Sequence, residues 1–191
     1  MGAIDYGLSS LYYSKITDTD GEITYAKPVA WPGARSLELS PTGEPTQVYA
    51  DDIIYTTIEA GAGYEGDLTV LTIPESFYTD ILGMKKDENG ALVESESDIQ
   101  SAFALLGQFK SNEADKQKRF VLYHCTVTKP DFGGTTKEDS VEAHEYTMTL
   151  TMSPATDTGY TKASITNAAT SATAYNSWFG QVYTPDFQSG E

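Results

Sequence analysis

The stretches "RFVLYHCTVT" (residues 119–128) and "EYTMTLTM" (residues 145–152) decide the fold that this sequence predicts. Side chains of two kinds alternate along both stretches with a period of two. One face of the first is expected to carry Val121, Tyr123, Cys125 and Val127, and the other Leu122, His124, Thr126 and Thr128. One face of the second is expected to carry Tyr146, Met148, Leu150 and Met152. Because successive side chains of a strand point to opposite faces, this period predicts two strands that each bury one face.

Further strands and turns are predicted on the N-terminal side of this pair. "VYADDIIYTTIEA" (residues 48–60) and "DLTVLTI" (residues 67–73) are rich in the β-branched and aromatic residues that strands favour. Asp20-Gly21 and Asn89-Gly90 are pairs that accept positive φ, so hairpins are expected near Asp18–Glu22 and at residues 89–90. The apolar run "DIQSAFALLGQF" (residues 98–109) is compatible with either a short helix or a buried strand.

One short helix is predicted over Pro74–Gly83. Proline suits the first turn of a helix, and glycine suits the residue that ends one. The spacing of the apolar side chains places one buried face on Phe77, Ile81 and Leu82. The small-residue segment at 163–183 is weakly patterned and ends in an aromatic cluster around Trp178 and Phe179, so no element is predicted there.

A long irregular loop is predicted over about residues 32–48. The stretch "WPGARSLELSPTGEPTQVY" (residues 31–49) contains three prolines and two glycines around a short apolar piece. Proline and glycine are the residues that most often interrupt regular structure. The chain as a whole, residues 1–191, shows no linker or internal repeat that would divide it, and we expect a single domain.

Composition and charge limit the classes of function. The 12 basic and 28 acidic residues give a net charge of −16, which opposes binding to nucleic-acid phosphates and anionic membranes. The lone Cys125 cannot form an internal disulfide, which is compatible with folding in a reducing cytosol. No secretory signal or apolar run of the ~20 residues that a membrane span needs is apparent, so no membrane binding is expected.

Gly61, Gly63 and Gly66 match G-x-G-x-x-G, the phosphate-binding fingerprint of dinucleotide-binding proteins. The fingerprint works only where the glycines lie between a strand and a helix whose N-terminus faces the pyrophosphate. Here the β-rich segment "DLTVLTIP" follows and ends in Pro74, so no helix can begin at Gly66. We interpret the glycines as a bend between antiparallel strands and predict no nucleotide cofactor.

Acidic residues suggest two metal or acid–base sites, and neither fits. Asp18, Asp20, Gly21 and Glu22 resemble the start of a calcium loop. Such a loop needs glycine at position six and a bidentate acid at position twelve, where Ile23 and Val29 stand. Asp51 and Asp52 are adjacent, and adjacent side chains on a strand point to opposite faces unless a bulge intervenes.

Cys125, His124 and His144 are the candidates for nucleophilic catalysis. Cys125 falls on the apolar face of its predicted strand, where a small buried thiol is the usual interpretation, and His124 points the opposite way. His144 could approach the thiol only across strands, and a Cys–His pair needs hydrogen-bond distance. We predict no catalytic, cofactor-binding or metal-binding residue.

The order and spacing of several stretches resemble a known family. The stretches are "YADDIIYTTIEAGAGYEGDLTVLTIPESFYTDILGM" (residues 49–84), "KRFVLYHCTVTKP" (residues 118–130) with the polar loop after it, "EYTMTLTM" (residues 145–152) and "WFGQVY" (residues 178–183). Together they are similar to the major tail proteins of long, non-contractile-tailed bacteriophages, which form the tail tube. The resemblance covers roughly residues 4–185.

The resemblance implies a fold, an assembly and a location. The fold would be a β-sandwich or partly closed β-barrel flanked by one short helix. Subunits would form rings, usually hexameric, that stack into a hollow tube through which the genome passes. Terminal arms and a long loop or hairpin would make the contacts between rings. The segments that correspond to them here are about residues 1–13, about residues 32–48 and the C-terminal tail at about residues 184–191.

The resemblance also implies partners, and it leaves alternatives. The partners would be other copies of the chain and the tape measure, distal tail and terminator proteins of a virion tail made in the bacterial cytoplasm. DNA would pass through the lumen without specific binding, and acidic groups on the wall would repel its phosphates. The alternatives are a tube protein of a contractile injection or type VI secretion system, and a carbohydrate-binding β-sandwich that stacks sugars on aromatic side chains.

Overall fold

The computed structural model describes residues 5–43, 46–50, 53–58, 63–113, 116–134, 143–167 and 172–187. The strands are β1 (Asp5–Thr19), β2 (Glu22–Tyr25), β3 (Val29–Trp31), β4 (Ala34–Thr42), β5 (Thr46–Ala50), β6 (Ile53–Ile58), β7 (Gly63–Val70), β8 (Lys85–Lys86), β9 (Leu92–Val93), β10 (Phe103–Ser111), β11 (Lys118–Val127), β12 (Tyr146–Ser153) and β13 (Lys162–Thr166). The helices of the described chain are α1 (Glu75–Asp80) and α2 (Ala172–Ser177), and neither is long and apolar enough to cross a membrane.

One large antiparallel sheet forms the body of the molecule. Its strand order is β2-β1-β10-β11-β12-β7-β4, with β3 added beside β1 and β13 beside β11. The sheet curls so that β4 approaches β1, but no backbone pairing joins these two strands and the sheet is not closed into a barrel. The prediction of a mainly β fold is confirmed.

The larger hydrophobic cluster lies inside the curl, and we call it the inner cluster. Phe77 of α1 is completely buried in it. The ring of Phe77 lies 4.3 Å from Trp31, 5.1 Å from Tyr13 and 5.4 Å from Phe103, measured between ring centroids. Tilted and edge-to-face contacts of this kind add stability beyond the area that the rings bury. The Trp31 indole N–H donates to the Thr72 carbonyl oxygen at 2.7 Å. These contacts hold α1 and the segment before it against the sheet.

The second hydrophobic cluster lies on the opposite face of β10 and β11, and we call it the outer cluster. The C-terminal segment that begins with α2 covers it. The indole N–H of Trp178 donates to the Phe120 carbonyl oxygen at 3.1 Å. The guanidinium of Arg119 lies over the ring of Tyr175 at 3.9 Å and over that of Phe179 at 4.7 Å. No helix was predicted here, so the described chain has two short helices where the sequence predicted one.

Burial of both faces explains the ambiguous run at 98–109. Phe103 and Leu105 of β10 belong to the inner cluster, whereas Ala104 and Leu106 belong to the outer one. A strand that is buried on both faces needs no alternation between apolar and polar residues, so it has the continuous apolar pattern that a buried helix also shows.

A β-bulge in β11 overturns the predicted faces of residues 121–128. Phe103 pairs with Cys125, but Leu105 pairs with Leu122, so β11 has one residue more than β10 between these two pairs. A bulge of this kind shifts the side-chain alternation by one position. Cys125 therefore faces the inner cluster, whereas Val121 and Tyr123, which were predicted beside it, face the outer one. The predicted alternation of β12 is confirmed, since Met148, Leu150 and Met152 are all buried.

Three predicted local elements are confirmed with small changes. The hairpin near Asp18–Glu22 joins β1 to β2, and the second hairpin joins β8 to β9 with φ = +89° at Gly90. The predicted helix at Pro74–Gly83 is present but shorter, because Pro74 is its N-terminal cap and Ile81 its C-terminal cap. Its predicted buried face is correct, as Phe77, Ile81 and Leu82 are all buried.

The predicted loop at about residues 32–48 is wrong, since β4 and β5 occupy most of it. Leu37 and Leu39 pack against the inner cluster while Glu38 between them is exposed, which is the alternation of a strand. Pro41 is compatible with β4 because β4 pairs only with β7 in the described sheet, and an edge strand tolerates a residue without an N–H.

Two other predicted boundaries are also corrected. The single strand predicted at residues 48–60 is split between β5 and β6, which pair as a hairpin. The predicted N-terminal arm at about residues 1–13 overlaps β1, where Leu11 and Tyr13 are buried. Residues 11–13 therefore belong to the body of the fold, because their side chains complete its core.

Gly66 lets β4 and β7 approach each other. A Cβ atom added at this position would lie 1.8 Å from the Glu38 carbonyl oxygen, far closer than any real contact. We expect Gly66→Ala to lower the free energy of unfolding by about 2 kcal/mol or more, because β4 must move away from β7. Urea denaturation measures this change. The control is Gly133→Ala, where nothing lies within 4 Å of the added atom, and an equal loss in both variants would contradict the explanation.

Stability is expected to fall at alkaline pH. Burial raises the pKa of the Cys125 thiol from 9.0 to about 12 and that of the Tyr25 hydroxyl from 10.0 to about 12. The folded chain keeps these protons while the unfolded chain releases them. The stabilisation is therefore fully present below about pH 9 and is lost as the pH rises towards 12.

The thiol of the unfolded chain has a lower pKa than the tyrosine hydroxyls, so the contribution of the thiol to the pH dependence can be measured separately. Between pH 9 and pH 10 the loss of stabilisation from Cys125 should be about 1 kcal/mol, and each tyrosine whose pKa is raised should add a smaller loss. Urea denaturation over this interval should show a decline that is smaller by about 1 kcal/mol in Cys125→Ala than in the native chain. An unchanged slope would show that the thiol is not responsible.

Candidate assembly surfaces

The glycine fingerprint does not form a phosphate site in the described chain. Gly63 is the first residue of β7 and Gly66 lies inside it, so the strand begins before the point that the sequence predicted. β7 continues to Val70, so no helix begins at Gly66. Gly61 lies outside the described residues. Gly66 serves the close approach of β4 rather than a bend, which corrects the interpretation of this glycine.

The acidic residues near the first hairpin hold its turn. The Gly21 N–H donates to Asp18 Oδ1 at 2.9 Å, and Asp20 and Gly21 both have positive φ. Within the described chain, no group of His, Cys, Asp and Glu side chains is arranged to hold a metal ion. Asp51 and Asp52 lie outside the described residues.

Cys125, His124 and His144 have different neighbours. The Cys125 side chain is fully buried in the inner cluster, with the Leu122 carbonyl oxygen 3.9 Å from its sulfur. His124 Nδ1 lies 2.9 Å from Ser153 Oγ on the opposite face of the sheet, and the His144 ring contacts Tyr146 edge to face. No hydrogen bond joins any two of the three in the described structure, so they do not form the pair that thiol catalysis needs.

The two tryptophans, which are candidates for stacking sugars, are buried in the core. Trp31 is in the inner cluster and Trp178 is in the outer one, each with about 2% or less of its surface exposed. A sugar-binding platform needs an exposed ring face. Both tryptophans therefore support the fold, and the surfaces that remain for function are sheet faces, strand ends and the hairpin of β5 and β6.

An acidic face covers the solvent side of β4, β7 and β12. Its members are all hydroxyl or carboxylate side chains, namely Ser36, Glu38, Ser40, Glu65, Asp67, Thr69, Thr147, Thr149 and Thr151. Glu38 lies directly opposite Asp67 in the pairing of β4 with β7, and both are exposed. Like charges opposite each other on neighbouring strands repel, so this arrangement lowers the stability of the subunit. We will refer to these residues as the acidic face.

Hydroxyl groups make the acidic face continuous across the three strands. The Thr149 hydroxyl donates to Asp67 Oδ1 at 3.3 Å, and the hydroxyls of Thr69 and Thr147 lie 3.2 Å apart. Arg35 lies outside this set, at a bulge near the start of β4, and its Nε lies 3.0 Å from Glu145 Oε1. The acidic face itself therefore presents negative charge and hydroxyls to solvent.

The hairpin of β5 and β6 is separate from the large sheet. It is inserted between β4 and β7, which are neighbours in the sheet, and the described strands pair it with nothing but itself. Its sequence is rich in β-branched and aromatic residues, and Ile53, the first residue of β6, is 64% exposed. An isolated two-stranded hairpin is only marginally stable in water, so such a hairpin gains from contact with another surface.

A cavity of about 290 Å³ opens near the end of the curl from which this hairpin leaves. The inner cluster reaches the surface there, through the apolar side chains Leu37, Leu39, Phe109, Phe120, Leu122 and Met152. Lys118 and Lys162 also line the cavity, and Lys162 Nζ donates to the Tyr64 hydroxyl at 2.9 Å. We call this cavity the lysine-lined mouth.

The opposite end of the curl carries an exposed phenylalanine. Phe132, in the loop after β11, has its side chain fully exposed to solvent, and Asp131 precedes it. The loop borders a groove of about 410 Å³ that is lined by α1, β9 and Tyr146. Lys129 in the same loop forms an ion pair with Glu94.

Sequence reasoning missed the lysine-lined mouth and Phe132, although two signals were available. The alternation of Leu37 and Leu39 with serine and glutamate indicates a strand within the supposed loop. The tripeptide Pro-Asp-Phe occurs twice, at residues 130–132 and 185–187, and both of its phenylalanines are exposed. The mouth itself joins residues from distant parts of the chain, so no local pattern contains it.

A comparison with protein families identifies the family of the chain. A family model described as phage tail tube protein matches residues 3–187, nearly the whole chain, and a search of curated proteins found no match. Proteins of this family are structural, self-assembling subunits. The chain therefore belongs to the phage tail tube proteins and is a structural component of the virion tail, assembled in the host.

Proposed function

We propose that this chain is the subunit that polymerises into hexameric rings. The rings stack as the hollow tube of a long, non-contractile tail. The observation that carries the proposal is the hairpin of β5 and β6. It extends from the sheet without a partner strand of its own in the described chain, as an element that reaches a neighbouring subunit would. The tube then serves genome delivery, and assembly proceeds without a chemical step.

The hairpin takes over the role that the sequence assigned to a loop at about residues 32–48. Its exposed Ile53 supplies apolar surface for a neighbour, and its strand edges can pair with another strand. The segment before Leu11 and the tail at about residues 184–191 are further candidates for contacts between rings. The partners beyond the chain itself are the tape measure, distal tail and terminator proteins.

The acidic face lines the lumen in this proposal. DNA carries a phosphate charge about every 1.7 Å along its axis, so a wall of carboxylates repels the duplex and prevents it from adhering. The repulsion between Glu38 and Asp67 costs stability in the isolated subunit, and a role in the lumen accounts for why both are present. The hydroxyls of the same face keep the wall hydrated.

The alternative tubes differ in their surroundings. A tube of a contractile injection or type VI secretion system is enclosed by a sheath, whereas the tube proposed here is bare. Electron micrographs of tails that are labelled with antibody against this chain distinguish the two. A carbohydrate-binding module is not favoured, because both tryptophans are buried in the core.

The first test concerns the hairpin. We expect Ile53→Asp to raise the protein concentration needed for tube formation at least about tenfold, because a charge would have to be desolvated in the contact. Negative-stain microscopy over a concentration series measures this. Ile99→Asp is the control, since Ile99 is even more exposed and lies outside the hairpin. Equal effects of the two variants, or no effect of Ile53→Asp, would argue against the hairpin contact.

The second test concerns the lumen. The triple variant Glu38→Lys, Glu65→Lys and Asp67→Lys should assemble but slow DNA ejection, because its wall attracts phosphate. The slowing should decrease as salt is added. Time-resolved DNA release from virions measures the rate. The matched control changes Glu22, Glu88 and Glu96 to lysine, since these three glutamates are exposed and lie outside the acidic face. If the control slows DNA ejection as much as the triple variant does, the acidic face does not line the lumen.

A further inference from the structure

We propose that Phe132 of one subunit, with Asp131 beside it, inserts into the lysine-lined mouth of the next subunit along the tube. This contact rests on the proposed function, since it is a contact between stacked copies. It names the surface and the chemistry of both sides, which the assembly proposal leaves open. The occupant of the mouth is a second copy of this chain.

Of the phenylalanines in the two Pro-Asp-Phe tripeptides, Phe132 is the stronger candidate for insertion into the mouth, because it is the more exposed. Its side chain is fully exposed, although it stands beside the apolar groove at α1. Phe187, in the second tripeptide, is 74% exposed and already contacts Tyr160 of its own chain edge to face at 5.9 Å. Aromatic side chains that fill a pocket on the partner contribute most to protein interfaces.

The lysine-lined mouth matches this side chain in size and polarity. Its volume of about 290 Å³ exceeds the roughly 150 Å³ of an apolar cavity that binds benzene. Its walls are the ends of the inner cluster, and half-buried Leu37, Leu39 and Phe109 would become fully buried by an inserted ring. Burial of a phenylalanine from water is favourable at about 25 cal/mol for each Å² of apolar surface.

The charges of the two sides are complementary. Lys118 and Lys162 line the mouth, and neither belongs to the ion pairs that are found in the described residues. Asp131 directly precedes Phe132 and would bring a carboxylate to these ammonium groups. Charge complementarity of this kind favours one partner and one orientation over others.

The positions of the two sides along the sheet fit stacking. Lys118, at the mouth, is the first residue of β11. Phe132 lies in the loop after Val127, which is the last residue of the same strand. A strand of 10 residues is about 33 Å long, so the two features lie at opposite ends of the subunit. Different patches at opposite ends produce a head-to-tail contact, which continues without limit when the rotation does not close a ring. A tube grows by such contacts.

Engineered disulfides test the contact directly in the full-length protein. The pair Gly133→Cys with Ser164→Cys keeps Phe132 and places one thiol beside it and one on the wall of the mouth. The native Cys125 does not interfere, because it is fully buried. Oxidation of assembled tubes should give a ladder of covalent multimers on a non-reducing gel, since each chain can link to two neighbours. Ile99→Cys with Ser164→Cys is the matched control and should give no ladder, since Ile99 is exposed and lies outside every segment proposed as a contact.

Four results would overturn the inference. These are oxidised tubes without multimers, dimers alone, a link within one chain, and an equal ladder from the control pair. Dimers alone would indicate a two-fold contact instead of stacking. If the native chain forms no tube by microscopy, the proposed function fails instead, so the two failures are distinguishable.

A charge exchange provides an independent readout. Asp131→Lys alone should raise the concentration needed for assembly by about tenfold. Combination with Lys118→Asp and Lys162→Asp should restore assembly, because the attraction is re-established with the signs reversed. Thermal unfolding of the monomers checks that the variants fold. Failure of the combined variant to recover, with all monomers folded, would contradict the proposed pairing.

Discussion

The antiparallel pairing of β10 with β11 joins two hydrophobic clusters that lie on opposite faces of one sheet. Both strands must be apolar on both sides, and their order in the sheet places them in its centre. The bulge near Tyr123 decides which residues belong to which cluster. Trp178 and Arg119 then attach the C-terminal segment to the outer face, while Phe77 attaches α1 to the inner one.

An open sheet suits a protein whose final form is a polymer. The curl brings β4 near β1 without pairing them, and part of the inner cluster stays accessible at the mouth, which β4 helps to line. A closed barrel would have satisfied these groups within one chain and left fewer for a neighbour. The unpartnered hairpin and the repulsion on the acidic face are also costs to the isolated subunit. Both become understandable when the assembled tail tube is the functional state.

Local chemistry made several elements predictable. The turn at Asp20-Gly21, the helix at α1 and the alternation of β12 each depend on residues that are neighbours in the chain. The supposed loop at 32–48 was wrong because proline and glycine interrupt central strands but are tolerated on an edge, and the sequence does not show which strand is an edge. The argument against a nucleotide site also used only local sequence. The β-rich segment after Gly66 reaches Pro74 too soon for a phosphate-binding helix to begin at Gly66.

The sequence by itself determined the mainly β composition, the family resemblance, the acidic charge and the short elements with their own turn and capping signals. Only the tertiary structure decided the bulge in β11, the division of β5 from β6, the burial of both tryptophans and the residues that meet at the mouth. The reason is physical. Backbone turns and strand alternation are set by interactions over a few residues, whereas register, edges and cavities depend on which distant strands pair. The mouth exists only because β4, β11 and β13, which are far apart in sequence, reach the same end of the curl.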